Sequence, residues 1–348
     1  MNTAPTYRIS IDAMGGDHGL KTTVPASISA LGQYPNLEIS LVGIAEHIKQ
    51  FLQAHCKQYD HNRLHIVHAS EVVAMDEPPV SALRNKKDSS MRIAIDRVKN
   101  DQADACVSAG NTGALMATAK FVLKTLPEID RPAIVYAIPC LNCETQEMGS
   151  FYMLDLGANV NCSSEQLFQF GIMGAILAEN LKNKQRPSVA LLNIGEEETK
   201  GLDNIKQAAK MLYNCDAINY IGYVEGNNMF NAKADVVVCD GFAGNVALKT
   251  SEGTAKLITS IMREAFSHSI ASKIAAFIAR PVLNNLKQKL NMDQYNGASL
   301  LGLRGIVVKS HGSASAKAFE TAISEAIKEI KYNIPQKIKS QIERGLTE

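Results

Sequence analysis

The 348-residue chain carries 36 Lys and Arg against 35 Asp and Glu, a formal charge of +1, so no global field draws it to nucleic acid. Its 46% hydrophobic and 20% charged content argues against disorder, a collagen-like repeat or a coiled coil, and a chain of this length buries a core without metal or disulfide staples. Seven scattered cysteines and a short polar stretch before Tyr7 predict reduced thiols in the cytoplasm, and no run approaches the roughly 18 apolar residues of a membrane span.

Short apolar, β-rich runs follow one another along the chain. In order they are Tyr7–Ile11, Leu37–Val42, Leu64–Val67, Ala105–Val107, Ala133–Ile138, Met153–Leu154, Val189–Leu192 and Val236–Cys239, most of them alternating with amphipathic stretches of helix length. Runs without strict polar alternation suit strands covered on both faces, so the pattern predicts a mostly parallel sheet with helices on each side. Residues 254–291 differ. They read as two long helices broken near His268–Ser272, the second carrying Pro281, with Phe266, Ile270, Ile274, Phe277 and Ile278 at helical spacing. Lys256, Arg263, Lys273, Arg280, Lys287 and Lys289 face only Glu264. Such a stretch is expected to pack against a second copy first, or to lie on anionic lipid or dock an acidic partner.

In parallel α/β sheets, ligands gather beyond the carboxyl ends of the strands. Five of these ends carry Gly with Asp, Asn or Glu: D-A-M-G-G-D from Asp12, S-A-G-N-T-G from Ser108, D-L-G-A-N from Asp155, N-I-G-E-E-E-T-K-G from Asn193 and D-G-F-A-G-N from Asp240. One such loop is ordinary turn chemistry. Five predict an active site along a single sheet edge. The triplet Ala-Gly-Asn stands in two of them, at 109–111 and 243–245. At a strand-to-helix junction, glycine permits close backbone approach and the free N–H groups of the helix start favour an anion, particularly phosphate. The candidates for phosphate or substrate binding are therefore Asp12, Gly15, Gly16, Asp17, Ser108, Gly110, Thr112, Gly113, Asn159, Asp240, Gly241 and Gly244. Asn111 and Asn245 add uncharged donors. Lys249, and Arg304, Lys309 and His311 in L-L-G-L-R-G-I-V-V-K-S-H-G, supply positive charge.

Other chemistries find no support. No G-x-x-x-x-G-K-[ST], no G-x-G-x-x-G after a strand, no G-x-S-x-G and no H-E-x-x-H occurs. Cys140 and Cys143 form a lone C-x-x-C without a second pair, and Cys162 has no histidine placed beside it, so it reads as a buried structural thiol. The acidic triplet Glu196–Glu198 reads as structural or hydrogen-bonding rather than as a Mg²⁺ site.

Taken as an ordered set, D-A-M-G-G-D, S-A-G-N-T-G-A-L, R-P-A, D-L-G-A-N, L-L-N-I-G-E-E-E-T-K-G, C-D-G-F-A-G-N-V-A-L-K-T, Y-N-G-A-S-L-L-G-L-R-G and K-S-H-G-S-A closely resemble the bacterial phosphate acyltransferases of phospholipid synthesis, from about Ile9 to His311. The chain departs from that pattern at Asn161, where members often carry Asp. The resemblance implies a three-layer α/β/α sandwich like that of phosphotransacetylases and isopropylmalate dehydrogenase. It implies one domain over 1–348, with 254–291 as a helical insertion for dimerisation or membrane contact, and a homodimer. The implied reaction moves a long-chain acyl group from the thioester of acyl carrier protein to inorganic phosphate, with no cofactor and no metal. A membrane glycerol-3-phosphate acyltransferase would consume the acyl phosphate.

Phosphate is already a nucleophile, so direct attack on the thioester needs positioning and charge stabilisation rather than an acyl-enzyme. On this reading Asn111, Asn245, Lys249 and His311 are the catalytic candidates, and one Ala-Gly-Asn loop holds phosphate while the other meets the thioester carbonyl or the pantetheine end. Arg84, Lys86, Lys87 and Arg92 offer a basic face to the acidic carrier protein. Residues 266–286, with Ile274, Phe277, Ile278, Val282 and Leu283, offer a peripheral contact with anionic lipid at the inner face of the cell membrane. The rival readings are a phosphotransacetylase acting on short acyl-CoA, an NAD-linked metal-dependent dehydrogenase of the same fold, and a non-catalytic scaffold that binds acyl carrier protein.

Overall fold

A computed structural model describes residues 6–56, 59–142, 145, 147–289 and 292–345; Cys143 of the C-x-x-C lies outside them. The strands are β1 (Tyr7–Asp12), β2 (Leu37–Gly43), β3 (Leu64–His68), β4 (Ala105–Ser108), β5 (Ala133–Leu141), β6 (Met148–Leu154), β7 (Ser188–Leu192), β8 (Asn219–Val224), β9 (Val236–Val238), β10 (Ala298–Leu301) and β11 (Ile306–Lys309). The helices are α1 (Leu20–Gln33), α2 (Ala45–His55), α3 (Pro79–Asn85), α4 (Ser90–Lys99), α5 (Thr112–Leu123), α6 (Ser164–Leu181), α7 (Asp203–Tyr213), α8 (Gly241–Ser267), α9 (Ile270–Ile278), α10 (Arg280–Lys289), α11 (Ala316–Tyr332) and α12 (Ile334–Gly345). Each run expected to be a strand forms one. Strands β8, β10 and β11 were hidden from the pattern: β8 has Gly222 in its interior, and β10 and β11 are four residues each within a glycine-rich stretch.

All eleven strands join one sheet in the order β3-β2-β1-β4-β11-β10-β5-β6-β9-β7-β8. The sheet is mostly parallel, but β10 pairs antiparallel with both β11 and β5, and β5 pairs antiparallel with β6. Strands β6 and β9 therefore run opposite to β1, β4 and β11. Register fixes where the two sets meet: Val308, Ser299, Val135, Leu154 and Val238 lie on one row across the sheet. Strands β4 and β11 end one residue past that row, at Ser108 and Lys309, whereas β6 and β9 reach it from the other side and end on it. The glycine loops thus do not share one edge, as their sequence positions suggested. Those after β1, β4 and β11 face those after β6 and β9.

Successive side chains of a strand point to opposite faces, and each half of the sheet is covered twice. In the first half Ile9, Val107 and Val308 pack under α1, α2 and α11, while Val42, Cys106 and Val307 pack against α3, α4 and α5. In the second half Val135, Leu154 and Val236 face α6, α7 and α12, while Ile134, Met153 and Val237 face the start of α8. Double coverage is why these strands read as near-continuous apolar runs.

The stretch expected to hold two helices holds three. Helix α8 begins at Gly241, before the expected start, and runs unbroken to Ser267. Ser269 then caps α9 by accepting from the Ser272 N–H, and Pro281 sits second in α10, where its missing N–H has no intrahelical partner to lose. Ile270, Phe277, Ile278 and Val282 are each more than 70% exposed on the single chain. Among the described residues no helix is long and apolar enough to cross a membrane.

One core carboxyl responds to pH. Glu329 of α11 is 2% exposed, and burial pushes it up to about 8. An unfolded chain titrates this group near its ordinary 4.5, so the folded state holds an extra proton between the two values and stability falls as pH rises across that window. Glu329→Gln is expected to raise unfolding free energy by about 1–3 kcal/mol at pH 8, measured by urea denaturation, and to have little effect near pH 4.5. An equal gain at both pH values would refute this origin.

Candidate active site

Between the two halves of the sheet lies a cleft of about 490 Å³. Its first wall is ordered by Asp12, which is buried and does not line it. The carboxylate accepts from the Ser90 hydroxyl at 2.6 Å and the Ser108 hydroxyl at 2.7 Å, and Ser108 Oγ in turn accepts from the Gly110 N–H at 3.0 Å. Burial pushes Asp12 above its ordinary range, against the pull of both serines. A side chain at Gly15 would start 2.5 Å from Asp12 Oδ2 and 2.8 Å from the Gly110 nitrogen, so only glycine lets the β1 and β4 loops close on each other. The Asp17 N–H donates to the Gly312 carbonyl at 2.8 Å, with Gly16 beside it, and ties in the loop after β11.

The two Ala-Gly-Asn triplets do opposite things. Asn111 is the N-cap of α5: its Oδ1 accepts from the Ala114 N–H at 3.0 Å, and its Nδ2 donates to the Met75 and Glu77 carbonyls at 2.7 and 3.0 Å. That side chain is spent on structure and does not line the cleft. The next two N–H groups, of Thr112 and Gly113, have no acceptor among the described residues, and both residues line the cleft. At the second triplet the helix start is shut instead. Asp240 caps α8 by accepting from the Ala243 N–H at 2.8 Å, the Gly241 N–H donates to the Asn159 carbonyl at 2.8 Å, and a Cβ at Gly244 would fall 1.9 Å from the Asp155 carbonyl oxygen. These contacts engage the Gly241 and Ala243 amides and leave no space at Gly244. Asn245, one residue further, lines the cleft with its amide free of partners among the described residues.

The facing loop after β6 is drawn tight by Asp155, which accepts from the N–H groups of Ile134, Ala158 and Asn159 and from Asn159 Nδ2. Asn159 gives its other amide hydrogen to the Pro132 carbonyl, so it frames the site rather than contacting a ligand. Its loop neighbours Leu156, Gly157 and Ala158 reach the cleft.

The third wall comes from the end of β11. Lys309 is 8% exposed and its ammonium donates to the Ala109 carbonyl at 3.4 Å and to the Ser310 carbonyl. Burial pushes it down to about 8, with Asp12 and Asp17 opposing. Asn296 positions the next residues, donating to Ser310 Oγ at 2.8 Å and accepting from the His311 N–H at 3.0 Å. Burial, then the charge of Lys249, holds the His311 imidazole below its usual range, so it is neutral at pH 7; its Nδ1 lies 2.9 Å from Ser313 Oγ. Lys249 is paired with Glu252 at 2.8 Å. Met116, Ile134, Tyr136, Leu156 and Leu248 make the remaining lining apolar.

Some expected residues lie elsewhere. Arg304 precedes β11 at the opposite end from Lys309, where its Nε donates to the Thr125 carbonyl, so it takes no part in the cleft. Arg84 and Lys87 are exposed and Lys86 half-buried around the end of α3, which packs on α5 beside the loop that Asn111 holds. Arg92 is not free: it pairs with Asp96 at 2.9 Å and lies over the Phe121 ring. Glu196 is engaged by Lys233 and Asn228. Cys162 is buried, and burial with nearby Asp155 pushes its thiol up to about 12, which leaves no thiolate for nucleophilic attack. Sequence reasoning missed Ser90, Asp155 and Asn296 as organisers; only Asp155 and Asn296, each within two residues of a glycine in a quoted motif, left a signal.

The cleft combines free amides at a helix start, two lysines, a neutral imidazole, an uncommitted amide side chain and an apolar surface. A family model described as fatty acid synthesis protein matches residues 7–337. The phosphate acyltransferase of Francisella tularensis subsp. tularensis is 59% identical over 346 residues, covering 98% of this chain and 99% of its own. Among solved structures, a phosphotransacetylase from Streptococcus pyogenes aligns with a TM-score of 0.63 at 17% identity over 94% of each chain. A branched-chain phosphotransacylase from Enterococcus faecalis aligns with a TM-score of 0.56 at 12% identity, over 93% of this chain and 99% of its own. At such identities the structural likeness concerns the fold alone.

Proposed function

This chain belongs to the phosphate acyltransferase family, whose members are acyltransferases, and from that premise we propose that it moves a long-chain fatty acyl group from the thioester of acyl carrier protein to inorganic phosphate. The observation that carries the reading is the split of labour between the two triplets: free amides on one side of the cleft and a free carboxamide on the other. Phosphate sits on the Thr112 and Gly113 amides at the start of α5, where the helix dipole favours an anion, with Lys309 and Lys249 balancing its charge. The thioester carbonyl faces Asn245, whose amide donates to the oxyanion as it develops. A phosphate oxygen attacks the carbonyl carbon, the C–O bond forms, the C–S bond breaks and the electron pair leaves on sulfur. His311, neutral at pH 7, takes the proton that hydrogen phosphate sheds and returns it to the departing thiolate. Arg84, Lys86 and Lys87 stand beside the start of α5 as the docking face for the acidic carrier.

Purified protein incubated with palmitoyl-loaded carrier and phosphate is expected to yield palmitoyl phosphate by mass spectrometry; turnover of acetyl-CoA alone would favour the short-chain rival. Lys309 loses its charge as pH rises through about 8, so the KM for phosphate should climb above that pH in the wild type. In Lys309→Arg, which stays protonated, it should stay level. Lys309→Met should lower kcat/KM for phosphate by about a hundredfold. A wild-type KM that is flat to pH 9.5 would remove Lys309 from the phosphate site. Replacing Lys86 and Lys87 by Glu should raise the KM for loaded carrier several-fold at low salt and much less at high salt. No change at low salt would move the docking face elsewhere.

A further inference from the structure

Helix α8 carries two hollows along one face. Asn245, Leu248 and Glu252 line the cleft, and Thr259, Met262 and Phe266 line a second groove of about 800 Å³ closed by α9 and α10. These positions are three, four or seven residues apart, so they form one stripe. From Leu248 to Met262 is fourteen residues of helix, about 21 Å. A sixteen-carbon chain, with C–C bonds near 1.5 Å at tetrahedral angles, extends about 20 Å.

The groove is lined mainly by Met262, Phe266, Ala276, Leu283 and Leu286, and the stems of Arg263 and Lys273 add aliphatic surface. Of the exposed apolar residues of α8, Leu257 and Ile261 lie on a different side from Met262, whereas Ile258, four residues before it, borders the groove. A flat partner, whether a second copy or a bilayer, meets the side of Leu257 and Ile261; the groove lies on the same stripe of α8 as the cleft. The cleft itself must hold phosphate and the thioester end, so a long tail needs further volume.

Resting on the acyl-transfer reading above, we propose that the groove between α8, α9 and α10 binds the far half of the fatty acyl tail and sets the chain-length preference. Each methylene buried there strengthens binding about fourfold, so the groove selects long donors over short ones.

The chain contains no Trp, which makes a single introduced one a clean reporter. Phe266→Trp is expected to shift its emission to the blue on adding palmitoyl-loaded carrier and to stay unchanged with butyryl-loaded carrier. Ala276→Trp, which fills the groove, is expected to lower the palmitoyl-to-butyryl ratio of kcat/KM about tenfold or more. An unmoved emission with the palmitoyl carrier, or an unchanged ratio, overturns the proposal. If Ala276→Trp leaves the ratio alone but shifts sedimentation toward the monomer, the groove belongs to a second copy; if it abolishes flotation with anionic vesicles, it belongs to the bilayer. Wild-type protein that turns over neither donor defeats the acyl-transfer reading instead, and the Phe266→Trp shift would still report the tail site on its own.

Discussion

The structure depends on a reversal of strand direction in the middle of the sheet. Because β10 and β5 run antiparallel to each other, the strands on either side approach one row from opposite directions. Carboxyl ends that would lie at opposite edges of an ordinary sheet come face to face there. Every group in the cleft owes its position to that register. The row is held by backbone hydrogen bonds, and a one-residue slip would turn the strand's buried side chains to the wrong face.

Two buried carboxylates then make matching use of that geometry. Asp12 gathers the loops of the first half through Ser90 and Ser108, and Asp155 gathers the loop of the second half through three backbone N–H groups and one side-chain amide. In both, burial penalises the charge and hydrogen bonds oppose the penalty. An acceptor-only group is suited to this work because it draws several donors to one point and leaves none of them orphaned. The outcome is a frame stiff enough that the α5 amides stay open to an anion while the start of α8 is packed shut. Lys309, held nearly out of water between carbonyls, keeps a charge that is easily lost, and this couples the site to pH.

Much of the fold was legible in the residues. Apolar runs marked the doubly covered strands, and glycine with Asp or Asn marked their carboxyl ends. The ordered motifs carried a family resemblance that spans most of the chain. What stayed illegible concerned partners far apart in sequence. Asn111 and Asn245 are the same letter in the same triplet, yet one is consumed by the Met75 and Glu77 carbonyls while the other has no partner among the described residues. Arg304 and Lys309 stand five residues apart in one glycine-rich motif and end at opposite ends of a short strand. Ser90 sits in no motif, and it is joined to Asp12 across 78 positions of sequence.

The sequence by itself determined what is local: the strands, the caps, the small residues where backbones touch, and the polar residues at strand ends. It also marked the strand-end loops as places where free N–H groups favour an anion. Only the tertiary structure decided which donors remain unpaired, because a hydrogen-bonding group is available to a ligand only if no distant part of the chain has claimed it. That choice is made by the sheet's register, to which residues nearly three hundred positions apart contribute equally.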